Sequence, residues 1–212
     1  MSAADFLLAP EVQKLLVLVF SRPTSTLTAN EMAKASKLTV EEVQRTQDHL
    51  IRCGILTQCR AHASEQEAVR ANTTFVFYNE LRSIALKSFA AAEPIRAMLR
   101  SKFKRSVLRA YVLGEDQQGT VELLVVHGLE VPDEQDMAAA CKKLSVAIGR
   151  ELKVHVISAR KYAGLTERDA IGMKMAAASV VEVIAEGETQ AKPAPGRGEG
   201  LIDSALKKIW PR

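Results

Sequence analysis

Two β-branched runs, Ser106–Leu113 and Val121–His127, flank a short polar loop that begins at Gly114 and ends at Thr120. Such runs, rich in Val and Leu and bounded by glycine, read as neighbouring strands. The next residues restrict the architecture further. Pro132–Leu152 carries Met137, Cys141, Leu144 and Ile148 at helical spacing, Val154–Ser158 reads as a third strand, and Asp169–Ala185 reads as an alanine-rich helix. A helical stretch, Asn79–Arg105, leads into the strands and is interrupted at Pro94. Leu81, Ile84, Ala85 and Phe89 would line its first face, and Ile95, Met98, Leu99 and Phe103 the next. Helices interleaved with strands in this order predict an α/β class with a mixed sheet.

Residues 1–80 follow another pattern. Glu11–Ser21 places Val12, Leu15, Leu16, Val19 and Phe20 on one helical face. Thr28–Ser36 is a short second helix with Met32 and Ala33 inward, together with Leu38 of the following turn. Thr39–Cys53 is a third, opened by a Thr39-x-x-Glu42 capping box and closed by Gly54 at the left-handed cap position. Ile55–Cys59 and Thr73–Tyr78 read as strands around a polar loop, Arg60–Asn72. Three helices followed by strand, loop and strand predict a winged helix-turn-helix domain, so the chain divides into 1–80, 81–187, a linker 188–200 and a terminal segment 201–212.

Composition narrows the function classes. The 212 residues can form one large or two small domains, and 47% are hydrophobic. One Trp and 5% aromatics predict aliphatic, alanine-rich cores. The formal charge of +4 is spread along the chain, so charge alone does not announce nucleic acid. Cys53, Cys59 and Cys141 are odd in number and form no CxxC, which argues against a disulfide framework or a zinc site. No basic region precedes the first apolar run, and no run reaches the length of a bilayer span. A soluble, cytoplasmic protein without membrane association, metal or cofactor is expected.

The stretch Leu27–Leu56, with Glu31-Met32-Ala33, the Leu38-Thr39 turn and the Gly54-Ile55-Leu56 exit, resembles winged-helix repressors of the small bacterial metal-sensor type. The resemblance implies that the third helix lies in the major groove of double-stranded DNA. Val40, Glu41, Gln44, Arg45 and Asp48 would face the duplex, and Thr39 with the first amides would meet a phosphate. Arg45 suits guanine and Gln44 suits adenine. Arg52, Arg60, Arg70 and Arg22 would supply basic support. Glu41, Glu42 and Asp48 oppose phosphate attraction, so contacts to a protein partner are the alternative use of this helix. Cys53 and Cys59 lack the His or Cys company that a metal sensor needs.

Leu113–Val126, LGEDQQGTVELLVV, resembles the signature of MNT-type minimal nucleotidyltransferases. Gly114 and Glu122 keep family positions. Glu115 replaces the Ser that grips phosphate, and Thr120 replaces the first metal carboxylate. Lys153–Ser158, where a third acid would fall, contains none. Two-metal phosphoryl transfer needs these carboxylates, so the resemblance implies a nucleotidyltransferase-like fold without catalysis. Arg150–Gly187 resembles the tail of regulators that fuse a winged helix to this domain. Ser101–Arg105 is the densest basic cluster, either a phosphate-facing patch or a solvated helix end.

In the terminal segment Leu201, Ile202, Leu206, Ile209 and Trp210 share a helical stripe behind a Pro/Gly-rich linker. Such a segment predicts docking, on a protein partner, on a sister subunit or on its own body. A non-enzymatic transcriptional regulator acting as a homodimer is the expectation; an adaptor using the same elements is the second reading.

Overall fold

The computed structural model of the chain describes residues 2–61, 66–116, 118–177 and 179–193. Its first half starts with α1 (Pro10–Ser21), opened by a proline whose missing N–H falls among the orphan amides of a helix start. The two-residue strand β1 (Leu27–Thr28) leads into α2 (Ala29–Ser36) and α3 (Val40–Arg52). Both helices begin on reciprocal capping boxes, Thr28 with Glu31 and Thr39 with Glu42. The second was expected; the first has the same T-x-x-E spacing. α3 ends as anticipated. Gly54 has φ +77°, its N–H bonds to Ile51 O, and Ile55 N bonds to Leu50 O, which is a Schellman closure.

The wing differs from expectation. β2 (Leu56–Arg60) pairs antiparallel with β3 (Glu67–Ala71), and β3 pairs with β1, in the order β1-β3-β2. The second wing strand therefore lies inside the segment expected to be loop, and Thr73–Tyr78 is no strand. Ala68, Val69 and Ala71 are buried between their two partner strands and the core. Asn72 instead ends the pairing: its N–H bonds to Ile55 O and its side-chain amide to Gly54 O. The β-branched and aromatic Thr73–Phe77 run then turns through solvent, leaving Val76 and Phe77 exposed. Pairing partners outweighed strand propensity here. Leu15, Leu16, Phe20, Met32, Val43, Leu50 and Val69 form the buried centre of this half.

The helical stretch that follows consists of α4 (Tyr78–Lys87) and α5 (Ala92–Lys102). The break falls at residues 88–91, not at Pro94. Pro94 occupies the first turn of α5, where its missing N–H costs no helical hydrogen bond. β4 (Val107–Glu115), β5 (Thr120–His127), α6 (Glu134–Ile148) and β6 (Glu151–Ser158) come next, then the short helices α7 (Ala159–Ala163) and α8 (Ala170–Met175) and the strand β7 (Val181–Ile184). The sheet order is β6-β5-β4-β7, parallel only between β5 and β6, so it is mixed as anticipated.

Two boundaries are corrected. Gly149, at φ +67°, stops α6 before Leu152. The alanine-rich helix expected over 169–185 contracts to α8, because Val181, Val183 and Ile184 complete the edge of β4. Leu99, Val112, Leu123, Val125, Met137 and Ile184 form the core between α5, α6 and the sheet. Tyr111, Leu124, Val126 and Ile157 form a smaller one beneath α7 and α8. Residues 188–192, expected to begin a linker, run against the body through hydrogen bonds from Thr189, Gln190 and Leu129. The docking stripe, Leu201, Ile202, Leu206, Ile209 and Trp210, lies outside the described residues. Among the described residues no helix is long and apolar enough to cross a membrane.

Candidate nucleic-acid interface

α3 turns Val43, Thr46, Gln47 and Leu50 to the core. Successive helical side chains are about 100° apart, so the opposite side carries Glu41, Arg45, Asp48 and Arg52, all exposed. None of these four makes a hydrogen bond or an ion pair among the described residues. Thr39 accepts from Glu42 N at 3.2 Å, and the Glu42 carboxylate accepts from Thr39 N at 2.7 Å. These bonds hold the Glu42 carboxyl below its ordinary pKa, with the backbone amide of Thr39 the main cause. Glu42 is therefore occupied at the helix start.

Gln44 and Arg45, expected to read bases together, lie on different sides of the helix. Gln44, Val40 and Asp48 look toward the wing across a groove of about 420 Å³. Its other polar lining includes Thr28, Asn30, Gln58, Gln66 and Glu67, and among the described residues it contains no Lys or Arg. Arg45 and Arg52 line a separate hollow of about 330 Å³ with Glu11 and His49, at the α1 side. Within the wing, Arg60 pairs with Glu67 and Gln58 with Val69, while Arg70 pairs with Thr57. Side chains alternate faces along a strand, so Arg60 shares the face of Gln58 and Val69, and Arg70 stands on the other. Arg70 lines a hollow of about 310 Å³ with Pro23, Thr24, Thr57 and Thr74. The expected basic support is thus divided among three surfaces. Asn30, Gln58 and Gln66 escaped sequence reasoning because their place beside α3 depends on the position of β3.

The second half brings Gly114, Glu115 and Glu122 around a hollow of about 300 Å³, together with Asp116, Lys174 and Ser179. Thr120 is not in its lining; its N–H bonds to Asp116 Oδ1 at 2.8 Å. The carboxylates are internally engaged. Arg82 Nη2 and Arg150 Nε each approach a Glu115 oxygen at 2.9 Å, and the Arg150 side chain is fully buried. Burial pushes the Arg150 guanidinium pKa down against the opposing pull of Glu115. Glu122 pairs with Lys174, with His155 Nε2 at 4.0 Å. Burial holds the His155 imidazole pKa below its ordinary value. Asp116 accepts the amides of Gln118 and Thr120, and the Thr120 bond chiefly keeps its carboxyl pKa low. Among the described residues no three His, Cys, Asp or Glu side chains are placed to hold a metal ion.

The chain matches no family model and no curated protein. Among solved structures it is similar to the crystal structure of a point mutant of MepR from a multidrug-resistant S. aureus clinical isolate. The two share 19% sequence identity at a TM-score of 0.32, over 37% of this chain and 57% of that chain. The matched part is little more than half the length of that protein. Likeness at this level carries no argument, and the winged arrangement stands on the helix order and strand pairing above.

Proposed function

We propose that the chain is a DNA-binding transcriptional regulator that presents α3 to the major groove, with its second half serving as a non-catalytic body. The observation that carries this reading is the outward side of α3. There Arg45 and Arg52 are exposed and free of ion pairs among the described residues, on the α1 side of the helix, while Arg60 stands at the end of β2 in the wing. Recognition helices of winged domains contact base edges from such a face, and arginines supply both phosphate contact and guanine readout. Few cations are available per chain, so a homodimer would be needed to gather enough phosphate contacts.

The mixed sheet supports a nucleotidyltransferase-like body that has lost its chemistry. Glu115 is held by Arg82 and Arg150, and Glu122 by Lys174, so neither is poised as a free metal ligand. The test of regulation is anisotropy of labelled duplexes from the chain's own upstream region, titrated over a range of KCl. Arg45, Arg52 and Arg60 predict a log K against log salt slope of about −3 per chain, roughly doubled in a dimer. A slope near zero, or no binding at low salt, would remove the reading.

One observation favours a second reading, an adaptor that binds a protein through the same helix. Among the described residues the groove between α3 and the wing is lined by Asp48, Glu67 and amides without a cation, a surface better suited to a polypeptide than to phosphate. A flat salt titration with duplex would turn the proposal to this alternative.

A further inference from the structure

We propose that β6 pairs antiparallel with β6 of a second copy of this chain, joining two four-stranded sheets across a two-fold axis at Val154. The sheet order leaves β6 at an edge. All eight of its residues are in unbroken register with β5, and among the described residues no strand pairs with its outer side. The Leu152 N–H leaves the sheet for Ser145 Oγ at 3.0 Å. Alternate residues of a strand direct their backbone groups to opposite edges, so Val154 and Val156 present theirs to the open side. Edge strands are commonly blunted by shortness, bulges, prolines or lysines. β7, at the opposite edge, has four residues and a register shift against β4. β6 has no proline, no shift and a single lysine, Lys153.

The strand is complementary to itself. Residues directly opposite in an antiparallel pair share a face, so an axis at Val154 sets Val154 against its own copy and Leu152 against Val156. Leu152 and Val154 already pack on the core beneath α6, while Val156 is 40% exposed. On the other face the same register brings Glu151 of each copy diagonal to His155 of the other. Lys153 falls opposite His155, whose pKa burial lowers, so no like charges meet at neutral pH.

α6 adds a second layer to this seam. Met137, Cys141 and Ile148 face the sheet, and α5 packs on one flank of the helix, where Ala140 is buried. At about 100° per residue the other flank, on the β6 side, carries Gln135, Ala138, Lys142 and Val146. All four are exposed, Val146 at 82%. Ala138 and Val146 let two such helices lie side by side, and Lys142 can extend to solvent above them. β6 is about 26 Å long at roughly 3.3 Å per residue, and the face is about 20 Å tall with α6 above it. Such a face covers on the order of 500 Å² per copy, so the pair reaches the total of about 1,000 Å² at which specific association begins. A dimer of this size should dissociate on dilution. It would give the regulatory reading its two copies, yet it stands on β6 and α6 alone and holds whether or not α3 meets DNA.

The experiment is analytical ultracentrifugation of the full chain over a micromolar dilution series, without DNA, with hydrogen exchange measured at both ends of the series. The expected result is a mass that rises from one chain to two. The amides of β6 should exchange several-fold more slowly at the higher concentration, and those of β7 should not change. Val156→Lys and Val146→Glu should each weaken the dimer by about tenfold or more, since each sets an unpaired charge in the seam. Their far-UV spectra should match that of the parent. Val146 is the more exposed, so its variant keeps the test decisive should Val156→Lys fail to fold. A single-chain mass throughout would overturn the proposal, as would a dimer whose β6 amides gain no protection. A dimer that survives these substitutions in folded protein would also overturn it, by placing the contact elsewhere. Because no duplex is present, the outcome is separate from that of the salt titration.

Discussion

The two halves of this molecule handle charge in opposite ways. In the winged half, Glu41, Arg45, Asp48 and Arg52 stand on the outer side of α3 with no hydrogen bond or ion pair among the described residues. In the α/β half, each charged residue at the central hollow has a partner: Glu115 has Arg82 and Arg150, Glu122 has Lys174, and Asp116 has two loop amides. Side chains already engaged within the fold contribute to its architecture, whereas unengaged ones are available to something outside. The proposed regulatory function therefore rests on the first half, while the carboxylates of the signature-like stretch in the second are held by partners within the fold. Arg82 links the two, since it projects from α4 to a carboxylate at the end of β4.

The largest expected effect tests the internal side of this contrast. Glu115→Ala would leave the buried Arg150 without a counter-charge, and breaking a buried pair costs about 3–5 kcal/mol. Urea denaturation should show a loss of that order with the m-value retained. A loss below about 1 kcal/mol would mean that the cluster is not structural in this sense. The next effect tests the outward side. Arg45→Ala should leave the midpoint of denaturation in place and weaken binding to a specific duplex by about 1–3 kcal/mol. Gel shifts indistinguishable from those of the parent protein would place base reading elsewhere.

A smaller effect is expected at the start of α3. Thr39→Ala should cost about 1 kcal/mol of stability, as the loss of an N-cap does. Acid should reduce this difference. The folded pKa of Glu42 is depressed by its bonds to Thr39, so its contribution is present above the ordinary carboxylate range and is lost as pH falls through the depressed value. Paired denaturation curves of parent and Thr39→Ala at neutral and acid pH check this. An equal difference at both would show that the box does not depend on the Glu42 charge.

The smallest effect concerns Glu122. Its partner Lys174 is 47% exposed, so Glu122→Gln should change stability by less than about 1 kcal/mol. Incubation with labelled nucleoside triphosphates and magnesium or manganese should yield no product from either protein. A labelled product that Glu122→Gln abolishes would reverse the reading of the second half.

Helix signals were legible in the residues because they are local. The box of Thr39 and Glu42, the left-handed Gly54 and the apolar spacing of Leu15, Leu16, Val19 and Phe20 each involve neighbours within a turn or two, and each appears in the structure. The two β-branched strands around Gly114 were legible for a similar reason: long apolar runs need burial wherever they lie. The wing was not. Glu67–Ala71 has no strong strand propensity, and only the edges offered by β1 and β2 make it a strand, while the more β-prone Thr73–Phe77 finds no edge and turns through solvent. The same logic converts Val181–Ile184 from the end of an expected helix into β7. Sequence by itself determined where α3 begins and ends and which charged side chains that helix carries. Tertiary structure alone decided that Gln44 and Arg45 face different surfaces, that Arg60 and Arg70 stand on opposite faces of the wing, and that Glu115 is enclosed by two arginines. A side chain's direction depends on what packs behind it, and its partner can lie far along the chain.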